Sequence, residues 1–317
     1  RVPGSGSDRN SSTLQSFIKF IMSVDLVLPE DVELENLLSE VRKLCWQSAD
    51  VLKAYARGEN PPYGFQKALT VEEGGEGPVS AADMAVNELL ITGLKHNFTF
   101  KEWDILSEET FKEKTFQGSN HKNDWCWILD PLDGTKDFLQ GSENYAVHIA
   151  LVHKKKPKIG IVLIPERDEL WIGIVGSGAW YENRNGNKNQ ISFSNREKLS
   201  ELILVSSKNH QQTKLLNLIS SLCFAKTKKL GSVGCKVASI LRGDADVYIS
   251  LSGKTSPKDW DMAAPHALIE AAGGVFSHAD GTNLIYQNPT YSQSGCLIAS
   301  HGKSHQKICQ KAMEFFS

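Results

Sequence analysis

A chain of 317 residues with 40% hydrophobic and 23% charged residues has the composition of a soluble globular protein, long enough for one large domain or two of ordinary size. Its formal net charge of −2 gives no bulk attraction to nucleic acid or an anionic membrane, and no apolar run is long enough to span a bilayer. The six cysteines, Cys45, Cys126, Cys223, Cys235, Cys296 and Cys309, are scattered without a CxxC pair, which argues against a disulfide framework or a zinc site and for free thiols in a reducing compartment. No signal-peptide pattern is present, so the expected location is cytoplasmic.

Residues 1–10 begin with Arg1-Val2-Pro3-Gly4-Ser5-Gly6-Ser7, the composition of a linker or an expression scar, and are expected to be disordered. A short helix is predicted over Leu14 to Val27. From Glu30 to Arg57 apolar residues recur at Leu34, Leu37, Leu38, Val41, Leu44, Val51, Leu52 and Tyr55, the period of a long amphipathic helix, and Gly58 stands where a helix-ending glycine belongs. Residues 58–79 are rich in Gly, Pro and Glu and predict a surface loop around a short strand, a solvated connection more readily than a lid. Ser80 and Asp83 then fit a capping box opening a helix that runs through Leu94. Ile105-Leu106-Ser107 predicts a strand that ends in the acid pair Glu108-Glu109, whose side chains would point apart if the segment stays extended.

Trp125 to Leu129 has the composition of a buried strand, stopped by the Pro and Gly of Asp130-Pro131-Leu132-Asp133-Gly134-Thr135. Two carboxylates on one tight turn repel each other and raise each other's pKa unless a cation lies between them. Oxygen donors of this kind suit a hard divalent ion such as Mg2+. Gly134 permits a sharp turn and close approach, so its N–H and that of Thr135 are placed to face an anion. A bare Asp-Gly-Thr is a weak signal, because Asp280-Gly281-Thr282 repeats it where an ordinary hairpin turn is expected.

The pattern then becomes all-β through Tyr145 to His153, Lys158 to Ile164, Leu170 to Val175 and Gly178 to Tyr181, predicting a large antiparallel or mixed sheet. From about residue 196 strands and helices alternate: a strand at Leu202 to Ser206, a helix at Thr213 to Leu222, part of a second helix at Lys236 to Leu241, and a strand at Val247 to Ser250. The expected division is an α+β half over 11–195, with the large sheet and the metal site, and an α/β half over 196–317. Lys258-Asp259-Trp260-Asp261 opens a last helix that Gly273-Gly274 closes, with Asp261 in its first turn, where an anion is favoured.

The hexapeptide at 130–135 resembles the DPxDGT signature of the lithium-sensitive, Mg2+-dependent phosphatase superfamily, which includes inositol monophosphatases and 3'(2'),5'-bisphosphate nucleotidases. Residues 105–109 are similar to its GEE segment, with Ser107 in place of Gly, and 258–274 to its second signature, a WD followed by a small-residue helix. The resemblance covers most of residues 30–317. It implies a layered α/β/α/β/α sandwich of the inositol monophosphatase type, two or three Mg2+ ions, inhibition by Li+ and no organic cofactor. By the same match Glu108, Asp130, Asp133, Asp261 and the Leu132 carbonyl ligate metal, while Asp83 and Thr135 form the pair that takes a proton from the attacking water. Two ions roughly 4 Å apart would stabilise the attacking and leaving oxygens of an in-line displacement.

Ser206 to His210 resembles the SxSH segment of the bisphosphate nucleotidases with altered spacing, and Gly231 to Lys236 resembles their glycine-rich segment ending in a phosphate-binding lysine. The resemblance therefore implies substrate contacts from Gly134, Thr135, Ser206, His210, Ser232 and Lys236. The implied activity removes the 3'-phosphate of 3'-phosphoadenosine 5'-phosphate, a reaction tied to sulfate assimilation, and also accepts inositol 1,4-bisphosphate. A dedicated inositol polyphosphate 1-phosphatase is the alternative, and a noncatalytic phosphate- or nucleotide-binding regulator is the reading from another class. Expected partners are small-molecule substrates, with no nucleic acid, membrane or obligate protein partner.

Overall fold

The helical period read between Glu30 and Arg57 folds as α1, Leu34–Ala56, which buries Leu37, Leu38, Val41, Leu44, Val51, Leu52 and Tyr55. The computed structural model describes residues 26–29, 32–67, 72–74, 77–79, 81–98, 103–113, 123–208 and 212–317. The helix expected over Leu14 to Val27 lies almost wholly outside these residues, and its last two, Leu26 and Val27, are not helical. The expected loop at 58–79 contains two short strands rather than one, β1 (Glu72–Gly74) and β2 (Gly77–Val79), paired antiparallel. Helix α2, Ala81–Asn97, follows.

Next come β3 (Asp104–Ser107), α3 (Glu108–Glu113), β4 (Trp125–Asp133), α4 (Thr135–Leu139), β5 (Ala146–His153), β6 (Lys156–Ile164), β7 (Glu169–Ile174), β8 (Gly178–Glu182) and β9 (Lys188–Gln190). Strands β3 to β9 form a seven-stranded sheet in sequence order, antiparallel except for the parallel β3–β4 pair. The second sheet has five strands, in the order β11 (Lys226–Leu230), β10 (Ile203–Ser207), β12 (Val247–Leu251), β14 (Cys296–Ser300) and β13 (Val275–His278). Its helices are α5 (Thr213–Leu222), α6 (Val233–Leu241), α7 (Asp259–Ala271) and α8 (His305–Phe316).

Successive strand residues face opposite sides of a sheet, and here that period divides two cores. Cys126, Ile128, Ala146, Ala150, Val152 and Val162 face a layer shared with α6, α7 and the second sheet. Trp127, Leu129, Val147, Ile149, Leu151 and Ile161 face α1 and α2 on the other side. A third core, with Leu204, Val247 and Ile298, packs the far face of the second sheet against Leu215, Leu218 and Ile308 of α5 and α8. The result is the α/β/α/β/α layering.

Helix α7 lies very close to the first sheet because two strand residues lack a side chain. A Cβ on Gly160 would stand 2.3 Å from the Ala264 carbonyl oxygen, and one on Gly173 would stand 3.0 Å from the Leu268 Cα. Pro265 is the seventh residue of that helix, past its first turn, where proline is well tolerated. It supplies no N–H to the preceding turn, and burial among the sheet residues holds the helix in place instead.

Candidate active site

Strand β4 ends in a backbone irregularity that the sequence dictates. Pro131 has no N–H for a ladder bond, and the β4–β5 register shifts between Asp130 and Asp133. The Asp130 side chain turns back on its own chain, Oδ1 accepting from the Leu132 N–H at 3.0 Å. Gly134 then takes φ 91°, and a Cβ there would come within 3.0 Å of the Asn144 carbonyl oxygen. A non-glycine residue would meet both the left-handed backbone and that carbonyl.

The turn gathers carboxylates from three parts of the chain. One oxygen from each of Asp130, Asp133 and Asp261 lies within 4.8 Å of the others. Asp130 is fully buried, and burial, followed by the charges of Glu108, Asp133 and Asp261, holds its pKa well above the usual carboxylate range. A hydrogen bond with Glu108 adds to that effect. Lys112 pairs with Glu108 at 2.8 Å and with the buried Glu109 at 3.1 Å. Glu108 and Glu109 open helix α3, so the helical turn separates them, not the strand alternation expected from sequence. Asp261 also accepts from the Lys258 N–H at 2.6 Å, capping its helix as the sequence allowed. Crowded carboxyls gathered around the buried Asp130 repel one another and make a good hard-cation cage. The donor set therefore fits a divalent metal ion.

Asp133 behaves differently from Asp130. Burial works against its charge, but His148, Lys236 and the Ser232 hydroxyl outweigh that and bring its pKa down to about 2. Its Oδ2 accepts from Ser232 Oγ at 2.5 Å and from the Gly234 N–H at 3.1 Å, and stands 3.1 Å from His148 Nε2. Ser232 is at the same time the N-cap of α6, accepting from the Cys235 N–H at 3.1 Å. Thus Asp133 joins the first sheet to the first turn of α6. Lys236 is buried, its Nζ donates to the Gly231 carbonyl at 2.7 Å, and burial lowers its pKa despite the nearby acids.

Thr135 Oγ1 lies 3.0 Å from the Leu132 carbonyl oxygen and 3.4 Å from Asp83 Oδ1. Asp83 is buried in the first turn of α2, a helix held against β4 by the second core. Ser206 is buried near the end of β10, paired with Lys229 of β11. His210 and Ser80 lie outside the described residues. Sequence reasoning did not single out His148, whose Nδ1 lies 3.3 Å from the Trp260 carbonyl oxygen while Nε2 faces Asp133. The available signal was a histidine flanked by apolar residues in the strand that follows the hexapeptide. Lys112 gave no signal apart from its spacing to the acid pair.

With this geometry in hand, comparison with known proteins is decisive about the family. The Inositol monophosphatase family matches residues 33–315. The chain belongs to it. It is 32% identical over 225 residues to a 3'(2'),5'-bisphosphate nucleotidase CysQ of Buchnera aphidicola, an alignment covering 71% of this chain and 80% of that protein. It is also 27% identical over 241 residues to the Nus factor SuhB of Pasteurella multocida, covering 74% and 81% of the two chains. Among solved structures, an IMPase of Thermotoga maritima superposes with a TM-score of 0.69 at 22% identity, covering 89% of this chain and 98% of that one. That likeness is one of fold. The family is one of metal-dependent phosphatases, and a phosphatase of this family is what the chain is.

Proposed function

We propose that the protein is a Mg2+-dependent 3'(2'),5'-bisphosphate nucleotidase that releases the 3'-phosphate of adenosine 3',5'-bisphosphate and also accepts the 1-phosphate of inositol 1,4-bisphosphate. The observation that carries this reading is the Asp130, Asp133 and Asp261 cluster standing beside the Thr135–Asp83 pair. The likeness to a CysQ nucleotidase directs it toward a substrate with two phosphates.

Glu108, Asp130, Asp133, Asp261 and the Leu132 carbonyl would hold the metal, in two or three positions. Bound there, a divalent ion supplies Lewis-acid stabilisation of phosphate oxygens and a more acidic water. Phosphoryl transfer asks little covalent chemistry of the protein, so positioning and proton handling fall to the side chains. A water donating to Thr135 Oγ1 lets the threonine pass its own proton to Asp83 Oδ1. The carboxylate supplies the basicity that a hydroxyl alone lacks near neutral pH. Gly134 brings backbone N–H groups close to an anion, since no Cβ intervenes. Ser206, His210, Ser232 and Lys236 are assigned to the substrate's other end, with Lys236 contributing charge from beneath the Gly231 turn.

The test is phosphate release from adenosine 3',5'-bisphosphate, inositol 1,4-bisphosphate and inositol 1-phosphate, each with Mg2+, with EDTA and with Mg2+ plus Li+. The reading predicts Mg2+-dependent, Li+-inhibited release with the nucleotide preferred. Preference for inositol 1,4-bisphosphate would make it an inositol polyphosphate 1-phosphatase. Release from none of the three substrates would overturn the reading.

A further inference from the structure

Helix α3 brings a cation of its own to the edge of the acid cluster. It opens with Glu108 and Glu109 and carries Lys112 in its last turn. The Lys112 Nζ lies 2.8 Å from Glu108 Oε1, four residues back, and 3.1 Å from Glu109 Oε1, three residues back, the two spacings that share a helix face. Less than a fifth of each of these side chains is exposed, so solvent and salt screen the contacts little. Burial opposes the charge on Lys112, yet the two glutamates outweigh it and raise the lysine's pKa, so the side chain stays an ammonium.

The short helix is docked where the cluster is built. The ring of Phe111, the residue before Lys112, lies 5.3 Å from that of Trp260 and 5.5 Å from that of Tyr291. Trp260 directly precedes Asp261. Glu108 meets the cluster through its hydrogen bond with Asp130, and Asp130, Asp133 and Asp261 each place an oxygen within 4.8 Å of the others. Glu108 therefore stands between the aspartates on one side and an ammonium on the other.

We propose that Lys112 is a tethered cation that shares Glu108 with the metal and so lowers the affinity of the site for Mg2+. The inference rests on the reading of the site as a metal centre and adds a residue that sets how tightly the ion is held. A divalent ion on Glu108 and the ammonium draw on one carboxylate and repel each other at short range. If Lys112 only held Glu108 in place, removing it would weaken metal binding, as losing an outer partner of a ligand does. The two roles thus predict opposite signs. Competition also makes turnover follow free Mg2+ over a higher range than the carboxylates alone would set.

The experiment is calorimetric titration of Mg2+ into metal-free wild type, Lys112→Met, Lys112→Arg and, as a control for net charge, Lys136→Met, a change at an exposed position. Lys112→Met should tighten the Mg2+ Kd about tenfold to a hundredfold, the span over which outer partners move metal affinity. Lys112→Arg keeps the charge and should stay within about threefold of wild type, and so should Lys136→Met, whose charge is screened. The Mg2+ concentration for half-maximal phosphate release should fall in parallel with the Kd of Lys112→Met. Melting temperatures of the metal-free proteins check that each variant is folded. Should the methionine variant not fold, Lys112→Gln, which keeps a donor for the buried Glu109, decides the question with the same sign. A Kd that is unchanged or weaker in the neutral Lys112 variants, or one that tightens equally in Lys136→Met, would overturn the inference and leave the metal centre standing. Failure of wild type itself to bind Mg2+ would instead sink the metal reading, and the Lys112 assignment with it.

Discussion

The tripeptide Asp-Gly-Thr occurs twice, at 133–135 and at 280–282, and the two copies do opposite things. Both glycines take left-handed backbone, φ 91° at Gly134 and φ 82° at Gly281. At 280–282 the segment is exposed and serves itself: Asp280 Oδ1 accepts from the Thr282 N–H at 2.9 Å and from its hydroxyl at 2.6 Å. At 133–135 the local pairing is absent from the acid's contacts. Asp133 is bonded by Ser232 and Gly234 from α6, while Thr135 faces Asp83 of α2 and the Leu132 carbonyl. The Thr282 hydroxyl lowers the Asp280 pKa, whereas Asp133 must overcome its own burial with help from His148, Lys236 and Ser232. The backbone shape comes from three residues. The chemistry comes from what the fold brings to them.

The comparison can be broken by paired substitutions. Asp133→Asn should lower Mg2+-dependent phosphate release on the order of a thousandfold, the several kcal/mol of charge stabilisation that a metal on phosphate oxygens provides. Asp280→Asn should leave kcat/KM at the wild-type value, and circular dichroism should show both variants folded. An active Asp133→Asn enzyme would end the metal assignment.

A smaller effect is expected at the threonines. Thr135→Ala removes the hydroxyl between water and Asp83 and should cost about a hundredfold in kcat, with Thr135→Ser restoring most of it. Thr282→Ala should cost nothing in turnover.

Burial, the property that separates the two acids, also sharpens the contrast for histidine. Burial lowers the His305 pKa to about 4, and its two nitrogens lie 2.8 Å from Ser277 Oγ and 2.9 Å from Ser300 Oγ. Its folded pKa is below the unfolded value near 6.5, so the unfolded chain takes up the proton first. The stability contributed by neutral His305 is therefore complete above about pH 6.5 and is lost as pH falls toward 4. His305→Asn should destabilise at pH 7.5, and in urea unfolding its deficit should shrink by about 1–3 kcal/mol by pH 4.5. A deficit independent of pH would contradict the burial argument. The smallest effect belongs to Asp280→Ala, whose unfolding free energy should stay within about 0.5 kcal/mol of wild type.

The acid turn was legible because its signals are local: an apolar strand, a proline that breaks the ladder, two acids and a glycine in one stretch. The long helix over 34–56 and the strands between 146 and 182 were legible for a similar reason, since each carries its own period. Strand β11, Lys-Thr-Lys-Lys-Leu, was not, because it has no apolar alternation. It pairs only at the sheet edge, where lysines are tolerated and guard against unwanted strand addition. His148 was missed because its partners, Asp133 and the Trp260 carbonyl, come from a different strand and from a helix over a hundred residues away. Glu108 and Glu109 were read as strand residues because a six-residue helix leaves too short a pattern to see.

The most direct test of the site as a metal centre is calorimetric titration of Mg2+ into metal-free protein at one pH in two buffers of different ionisation enthalpy. Burial and the charges of Glu108, Asp133 and Asp261 raise the Asp130 pKa well above the usual carboxylate range, and a ligating carboxylate must be free of its proton. Wild type should therefore bind Mg2+ with proton release to the buffer, more tightly as pH rises, and Asp130→Asn should lose both the binding and the proton. Mg2+ binding that is unchanged in Asp130→Asn, or that releases no proton in wild type, would contradict the account.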